Sequence, residues 1–251
     1  MHFDSLAGRM LRLPLRFIPR NANLIVLSGV NRGFRWRVGS ANHSCWLGHY
    51  ERDIQRQMSR YVRPDMTCYD IGANAGFYTL AFARLVGPAG HVFAFEPLSE
   101  NATHIRHHIK INSLNQAEVL EVAVADTDGA SGFQLHASPA MGRLNADSAL
   151  RVSTVKLDTL IRDGRLSPPD FMKMDIEGGE LAALRGAEAM LASIHPTMLI
   201  AFHGDELFRV SLALLFRHGY VVRDLRDNLL SEGSSAVGEV VAVHSSREAS
   251  Q

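Results

Sequence analysis

The chain has 251 residues, 46% of them hydrophobic and 21% charged, with 26 Lys and Arg set against 26 Asp and Glu. That composition belongs to a globular protein and excludes a disordered, collagenous or disulfide-framework chain. The balanced charge removes the bulk electrostatic argument for a nucleic-acid partner, and no apolar run reaches the ~20 residues a membrane-spanning helix needs.

The first stretch, LAGRMLRLPLRFIPR, sets Arg9, Arg12, Arg16 and Arg20 among Leu, Met, Phe and Ile. Such interleaving suits peripheral contact with a membrane surface, but Pro14 and Pro19 oppose a continuous helix. A basic segment packed on the domain is the preferred expectation. NLIVLSG and GFRWRVG then read as short strands around a turn. In HYERDIQRQMSRYV, residues Tyr50, Ile54, Met58, Tyr61 and Val62 recur at helical spacing. Two cysteines, Cys45 and Cys68, lack any metal-ligand spacing and read as reduced thiols of a cytoplasmic protein.

From about Met66 the chain alternates strands and helices. TCYDIGA is a strand and FYTLAFARLV a helix stopped by Gly87-Pro88. HVFAFEP is a strand, followed by ENATHIRHHIKINSL as a helix ending near Asn115. VLEVAVAD is a third strand, and after GFQLHA a polar excursion runs through PAMGRLNADSA. DFMKMDIEG is a fourth strand, ELAALRGAEAMLA a helix, TMLIAFH a fifth strand and LFRVSLALLFRHG a helix. YVVRDL and EVVAVH are terminal strands, the last antiparallel, and SSREASQ reads as a disordered tail. Short apolar strands separated by amphipathic helices mean a doubly wound α/β fold whose mostly parallel sheet is covered on both faces.

In such sheets ligands bind beyond the carboxyl ends of the strands. The polar residues there are Asp70, Glu96, Asp126, the pair Asp175 and Glu177, and His203. In DIGANAGFYT, Gly72 and Gly76 permit close backbone approach, and the helix starting near Phe77 turns its unpaired N–H groups toward the loop. The acid before the first glycine disfavours a pyrophosphate and suits a ligand carrying an ammonium, such as S-adenosylmethionine. Glu96 is placed to accept from a ribose diol. Each residue also has a plainer reading: a tight turn for the glycines, a helix-flanking acid for Glu96 and an Asx turn for Asp126. HIRHHIK places His104, His107 and His108 on one helix, where a solvated face is the better reading than a metal cluster.

YDIGANAGFYTL, HVFAFEP, the Asn101-containing helix start, AVAD, VKLDTL and above all DFMKMDIEGGELAALRGA resemble the FkbM-like family of class I S-adenosylmethionine-dependent methyltransferases. The resemblance runs over roughly residues 66 to 203, with Gly29 to Trp36 and LGHYE similar to the family's N-terminal segment. It implies a Rossmann-like, seven-stranded sheet with S-adenosylmethionine as donor and a hydroxyl acceptor on a sugar, glycolipid or polyketide. Residues 1–62 would form an N-terminal lid facing the acceptor, 63–245 the methyltransferase domain and 246–251 the tail. Asp70, Gly72, Asn74 and Gly76 would cradle the methionine end, Glu96 would hold the ribose, Asp126 would lie near the adenine, and Asp175 would face the transfer site. Ala201 stands where the family often carries an acid.

Transfer to a hydroxyl asks for removal of its proton, and Lys173, Asp175, Glu177 and His203 supply the candidates, with histidine the natural base near neutral pH. Lys173 shares a strand face with Asp175. Two alternatives stay open: Asp175, Glu177 and His203 holding a divalent cation, or His203 as a strand-end cap. Glu180 is expected to stabilise the helix that it opens. The rival classes are an NAD-linked oxidoreductase and a non-catalytic methyltransferase-like binding module. The small-molecule or glycan acceptor would be chosen by the N-terminal segment and the 136–150 excursion.

Overall fold

A computed structural model describes residues 17–135, 141–235 and 237–248 of the chain. Arg9, Arg12 and Arg16 lie outside the described residues, as do residues 249–251. The expected alternation of strand and helix is present. A sheet of seven strands is formed by β1 (Thr67–Ile71), β2 (His91–Phe95), β3 (Ala117–Leu120), β4 (Phe171–Met174), β5 (Thr197–Ala201), β6 (Tyr220–Asp224) and β7 (Glu239–His244), in the spatial order β6-β7-β5-β4-β1-β2-β3. The pairs from β3 through β5 are parallel, and β7 runs antiparallel to both β5 and β6. The strand order reverses between β1 and β4, which in an open α/β sheet opens a crevice at the strands' carboxyl ends.

Strand alternation divides the core between the two faces. Tyr69, Ile71, Met172, Met174, Met198 and Ile200 pack on one side with Leu157, Leu184 and Leu212. Cys68, Phe171, Leu199 and Val241 pack on the other with Leu80, Phe82, Trp36 and Met58. By the same parity Asp70 and Lys173 belong to the second face, and they are register partners across the β1–β4 pair. The longer helices are α1 (Arg52–Tyr61), α2 (Phe77–Val86), α3 (Ser99–Ile111), α4 (Leu157–Arg162), α5 (Glu180–Arg185), α6 (Glu188–Ser193) and α7 (Asp205–Arg217).

Several local expectations need correcting. The third strand is two strands: β3 ends at Leu120, and Ala123–Val124 joins a separate four-stranded sheet with Gly129–Leu135, Gly142–Leu144 and Arg151–Val155. Of the polar excursion, Gly142–Leu144 is a strand of this small sheet and the rest of 141–150 is turn and loop, with residues 136–140 outside the described residues. The single helix expected over 180–192 breaks into α5 and α6 at Gly186, where a side chain would run into the Ala125 carbonyl. Ser245–Glu248 forms a short helix rather than a disordered tail.

His108 also departs from the solvated face expected of it. It is fully buried and stacks on Trp36 with ring centroids 4.1 Å apart. Its Nδ1 lies 2.9 Å from the Ala75 carbonyl oxygen, while Nε2 accepts from the Arg37 backbone N–H at 3.0 Å. Those contacts bind the N-terminal hairpin, Asn23–Ile25 with Arg35–Arg37, to the loop after β1. Among the described residues no helix is long and apolar enough to cross a membrane.

Candidate active site

A cavity of about 310 Å³ opens at the carboxyl ends of the parallel strands. One half is lined by Gly72–Ala75 after β1, Glu96–Leu98 after β2 and Val122–Val124. The other half is lined by Lys173, Asp175, Ile176 and Glu177 at the end of β4. Trp36, Asn42, Cys45 and Tyr50 of the N-terminal segment and Phe133, Met141 and Leu144 of the small sheet complete the walls. Burial pushes the Cys45 thiol up to about 12, so it lines the cavity as a neutral group.

The first half is built on two backbone features. Gly72 sits at φ +80°, and a Cβ there would run into the Asp175 carbonyl oxygen, so glycine lets the β1 loop lie against the end of β4. Gly76, at φ +86°, caps α2 and packs against Ile105 without lining the cavity. Glu96 is 5% exposed, accepting from Asn74 N at 2.8 Å through Oε2 and from Leu98 N at 2.9 Å through Oε1. Burial lifts its pKa to about 7 despite these bonds. The Asn101 side chain also donates to this carboxylate, so of its roughly four acceptor sites about one is left for a donor in the cavity.

Asp70 is not at the wall. Its carboxylate is fully buried, accepts from Thr79 Oγ1 at 2.6 Å and ties β1 to α2. Burial raises its pKa, with Lys173 and Thr79 opposing. Direct contact with a ligand's ammonium, expected from its place before Gly72, is therefore not what the geometry offers. Asp126 is exposed and does not line the cavity, where Val122–Val124 stand instead.

The second half is a charge cluster. Lys173 Nζ lies 3.2 Å from Asp175 Oδ2 and 4.7 Å from the centre of the Tyr78 ring, whose hydroxyl donates to Glu51. Burial works against the Lys173 ammonium, but Asp175, Asp70 and Glu51 outweigh it and hold its pKa above the ordinary value. Burial likewise opposes the Asp175 carboxylate, and Lys173 outweighs it and holds the Asp175 pKa low. His203 Nε2 faces Asp175 Oδ1 at 3.7 Å and Glu177 Oε2 at 3.5 Å. Burial disfavours the imidazolium, while Glu180, Asp175 and Glu177 together raise the His203 pKa.

Glu180 is the residue that sequence reasoning undervalued. Its carboxylate is fully buried, and Oε1 bonds His203 Nδ1 at 2.9 Å and the backbone N–H of Gly178 at 3.1 Å. An acid therefore does orient His203, supplied from α5 rather than from the Ala201 position. The signal available was its spacing, five residues beyond Asp175 on the strand adjacent to the one that carries His203. Tyr50, Tyr78 and Glu51 were likewise invisible as site residues, because they arrive through tertiary packing.

Residues 70–222 match the model of the methyltransferase FkbM domain. The chain belongs to the FkbM methyltransferase family. The match runs from Asp70 within β1 to Val222 within β6 of this FkbM-family chain, and it sets aside the oxidoreductase alternative. The chain is similar to the hexuronic acid methyltransferase AglP of Haloferax volcanii, 24% identical over 147 residues, which are 58% of this chain and 59% of that protein. The matched region thus spans less than two thirds of that relative's length. Similar solved structures include a methyltransferase FkbM from Methylobacillus flagellatus, with a TM-score of 0.47, 17% identity and coverage of 81% of this chain and 56% of the other. Another is a precorrin-6y C5,15-methyltransferase from Geobacter metallireducens, with a TM-score of 0.49, 15% identity and coverage of 76% and 89%.

Proposed function

We propose that the protein is an S-adenosylmethionine-dependent O-methyltransferase whose acceptor is a hydroxyl on a sugar or sugar-bearing molecule. The observation that carries this reading is the meeting, in one cavity, of the Glu96 and Gly72–Asn74 half with the Lys173, Asp175 and Glu177 half. The donor fits the first half: Glu96 keeps an acceptor site for a ribose hydroxyl, and Leu98, Val122 and Val124 offer apolar packing for a purine. The Gly72 cradle leaves backbone close to the methionine end. When bound, S-adenosylmethionine supplies an electrophilic methyl group on a sulfonium.

The chain's own residues do the rest. Asp70 acts at a distance, fixing α2 through Thr79. Lys173 keeps Asp175 ionised and aimed, and the acceptor's proton leaves at the Asp175, Glu177 and His203 cluster. Holding the acceptor oxygen against the donor in a walled cavity contributes through proximity. The N-terminal segment and Met141–Leu144 form the walls that select the acceptor. A sugar is favoured because the relative AglP is named for a hexuronic acid substrate.

Calorimetric titration of S-adenosylmethionine into the full chain tests the donor, and absence of binding overturns the reading. A screen over sugars, glycolipids and polyketide hydroxyls, read by mass spectrometry for a single added methyl, tests the acceptor. Methyl incorporation on a nitrogen or carbon would replace the O-methyl assignment.

A further inference from the structure

We propose that Asp175, Glu177 and His203 hold a divalent first-row cation that binds and acidifies the acceptor hydroxyl, an inference that rests on the methyltransferase reading for its role but not for its binding site. One ligand atom from each of the three residues lies within 4.8 Å of the others. His203 Nε2 is 3.5 Å from Glu177 Oε2 and 3.7 Å from Asp175 Oδ1, too far for hydrogen bonds. Metal–ligand distances of about 2.0–2.2 Å put neighbouring ligands roughly 3.0–3.5 Å apart. The His203 distances therefore need little contraction, and the Asp175 and Glu177 oxygens, within 4.8 Å of each other, would close further on the ion.

The support beneath the cluster is independent of the three ligands. A metal-ligating histidine ordinarily donates its other ring nitrogen's proton to a carboxylate, which fixes tautomer and ring orientation. His203 has that partner: the fully buried Glu180 carboxylate points at it and bonds Nδ1 at 2.9 Å. Oε2 of Glu180 is buried with no partner among the described residues. Three carboxylates, those of Asp175, Glu177 and Glu180, thus meet one ammonium, Lys173, and one imidazole. The charge surplus calls for a cation on the Nε2 side. Glu177 has a backbone φ of +56°, an uncommon conformation for a non-glycine residue, and its carboxylate faces His203 Nε2.

The donor set selects the metal class. One imidazole nitrogen with two carboxylates suits manganese, cobalt or zinc better than the all-oxygen ions. Three protein ligands leave positions open for water or a substrate hydroxyl. A hydroxyl bound there loses its O–H proton to solvent beside the exposed His203 while its oxygen stays on the cation, ready as the nucleophile.

The test uses Mn²⁺ alone on the full chain after treatment with a chelator, following loss of the free aqueous Mn²⁺ signal by electron paramagnetic resonance. One Mn²⁺ per chain is expected, with affinity reduced at least tenfold in His203→Ala and in Glu177→Gln. Glu180→Gln keeps the three ligands and weakens binding about 10- to 100-fold. Absence of binding, or binding unchanged in both His203→Ala and Glu177→Gln, overturns the proposal. S-adenosylmethionine titration into the same samples separates the two readings. Donor binding without Mn²⁺ binding removes the cation site and leaves the methyltransferase reading. Mn²⁺ binding without donor binding does the reverse.

Discussion

Oε1 of the fully buried Glu180 lies 2.9 Å from Nδ1 of His203 and also accepts from Gly178 N at 3.1 Å. One carboxylate therefore orders both the imidazole and the turn that leads into α5. Replacing it with alanine removes both bonds and empties a fully buried position, while the partly exposed donors can turn to water, at a cost of about 1–3 kcal/mol. Urea unfolding of Glu180→Ala should show a lowered midpoint with an unchanged slope, and Glu180→Gln, which keeps an oxygen for the turn, a smaller loss. An unshifted midpoint in the alanine variant would mean that the turn is held by other contacts.

Glu96 makes donor binding depend on pH. Its folded-state pKa is raised to about 7, chiefly by burial. A ribose diol donates hydrogen bonds, so it binds the ionised form; affinity for S-adenosylmethionine should weaken as pH falls below about 7. Folding responds in the opposite sense. Because the folded state holds this proton more tightly than the unfolded chain, Glu96 favours folding below its ordinary pKa, and that contribution is lost as pH rises toward 7. Glu96→Gln should cost about 1.5–3 kcal/mol of donor binding and flatten its pH profile. Calorimetry at several pH values reads both, and a profile of the same shape in the variant would remove Glu96 from the donor site.

The strand ends were legible in the sequence because short, mostly apolar runs bounded by glycine and proline carry their own signal. Thus β1, β2, β4 and β5 stand where expected; Glu96, Asp175 and Glu177 line the cavity beyond them, while His203 flanks it beside Asp175 and Glu177 without lining it. Asp70 was misjudged for a physical reason. A carboxylate at a strand end reads as ligand-facing, but its side chain points into the face where Lys173 and Thr79 compensate it. His108 was misjudged because helical spacing says which residues are neighbours on a helix but not what covers them. Here Trp36, far away in sequence, buries it. The break between β3 and Ala123–Val124 has no local punctuation either, since Glu121 and Val122 are acceptable in a strand.

Gly72 allows the two halves of the cavity to touch. Its φ of +80° is itself costly for any side chain, and a Cβ would meet the Asp175 carbonyl, which is backbone and does not swing aside. Gly72→Ala should therefore destabilise the fold by more than the ~1 kcal/mol of a misplaced φ alone. It should also weaken S-adenosylmethionine binding, because the loop must shift away from β4. Thermal unfolding and donor titration of this variant check both. A stable variant with intact donor affinity would mean that the loop has slack, and the close packing would then not be needed.

His108 links folding to pH through the N-terminal segment. Burial lowers its pKa to about 3, against the bond to Ala75. Nε2 accepts from Arg37 N, so protonation there would turn an acceptor into a donor facing a donor. The unfolded chain binds a proton below about 6.5, and the folded chain resists until about 3. Stability is therefore full above 6.5 and falls as pH drops through this window, by at most about 1.4 kcal/mol per pH unit from this one group. The first contacts to fail are those of His108 with Trp36, Arg37 and Ala75, which hold the cavity wall of the N-terminal segment against the β1 loop. Urea unfolding of His108→Gln between about pH 4 and 6.5 should give a lower stability at neutral pH and a shallower pH slope than the parent chain. Equal slopes in the two proteins would show that other groups set the acid sensitivity and that His108 is accessible to protons in the folded state.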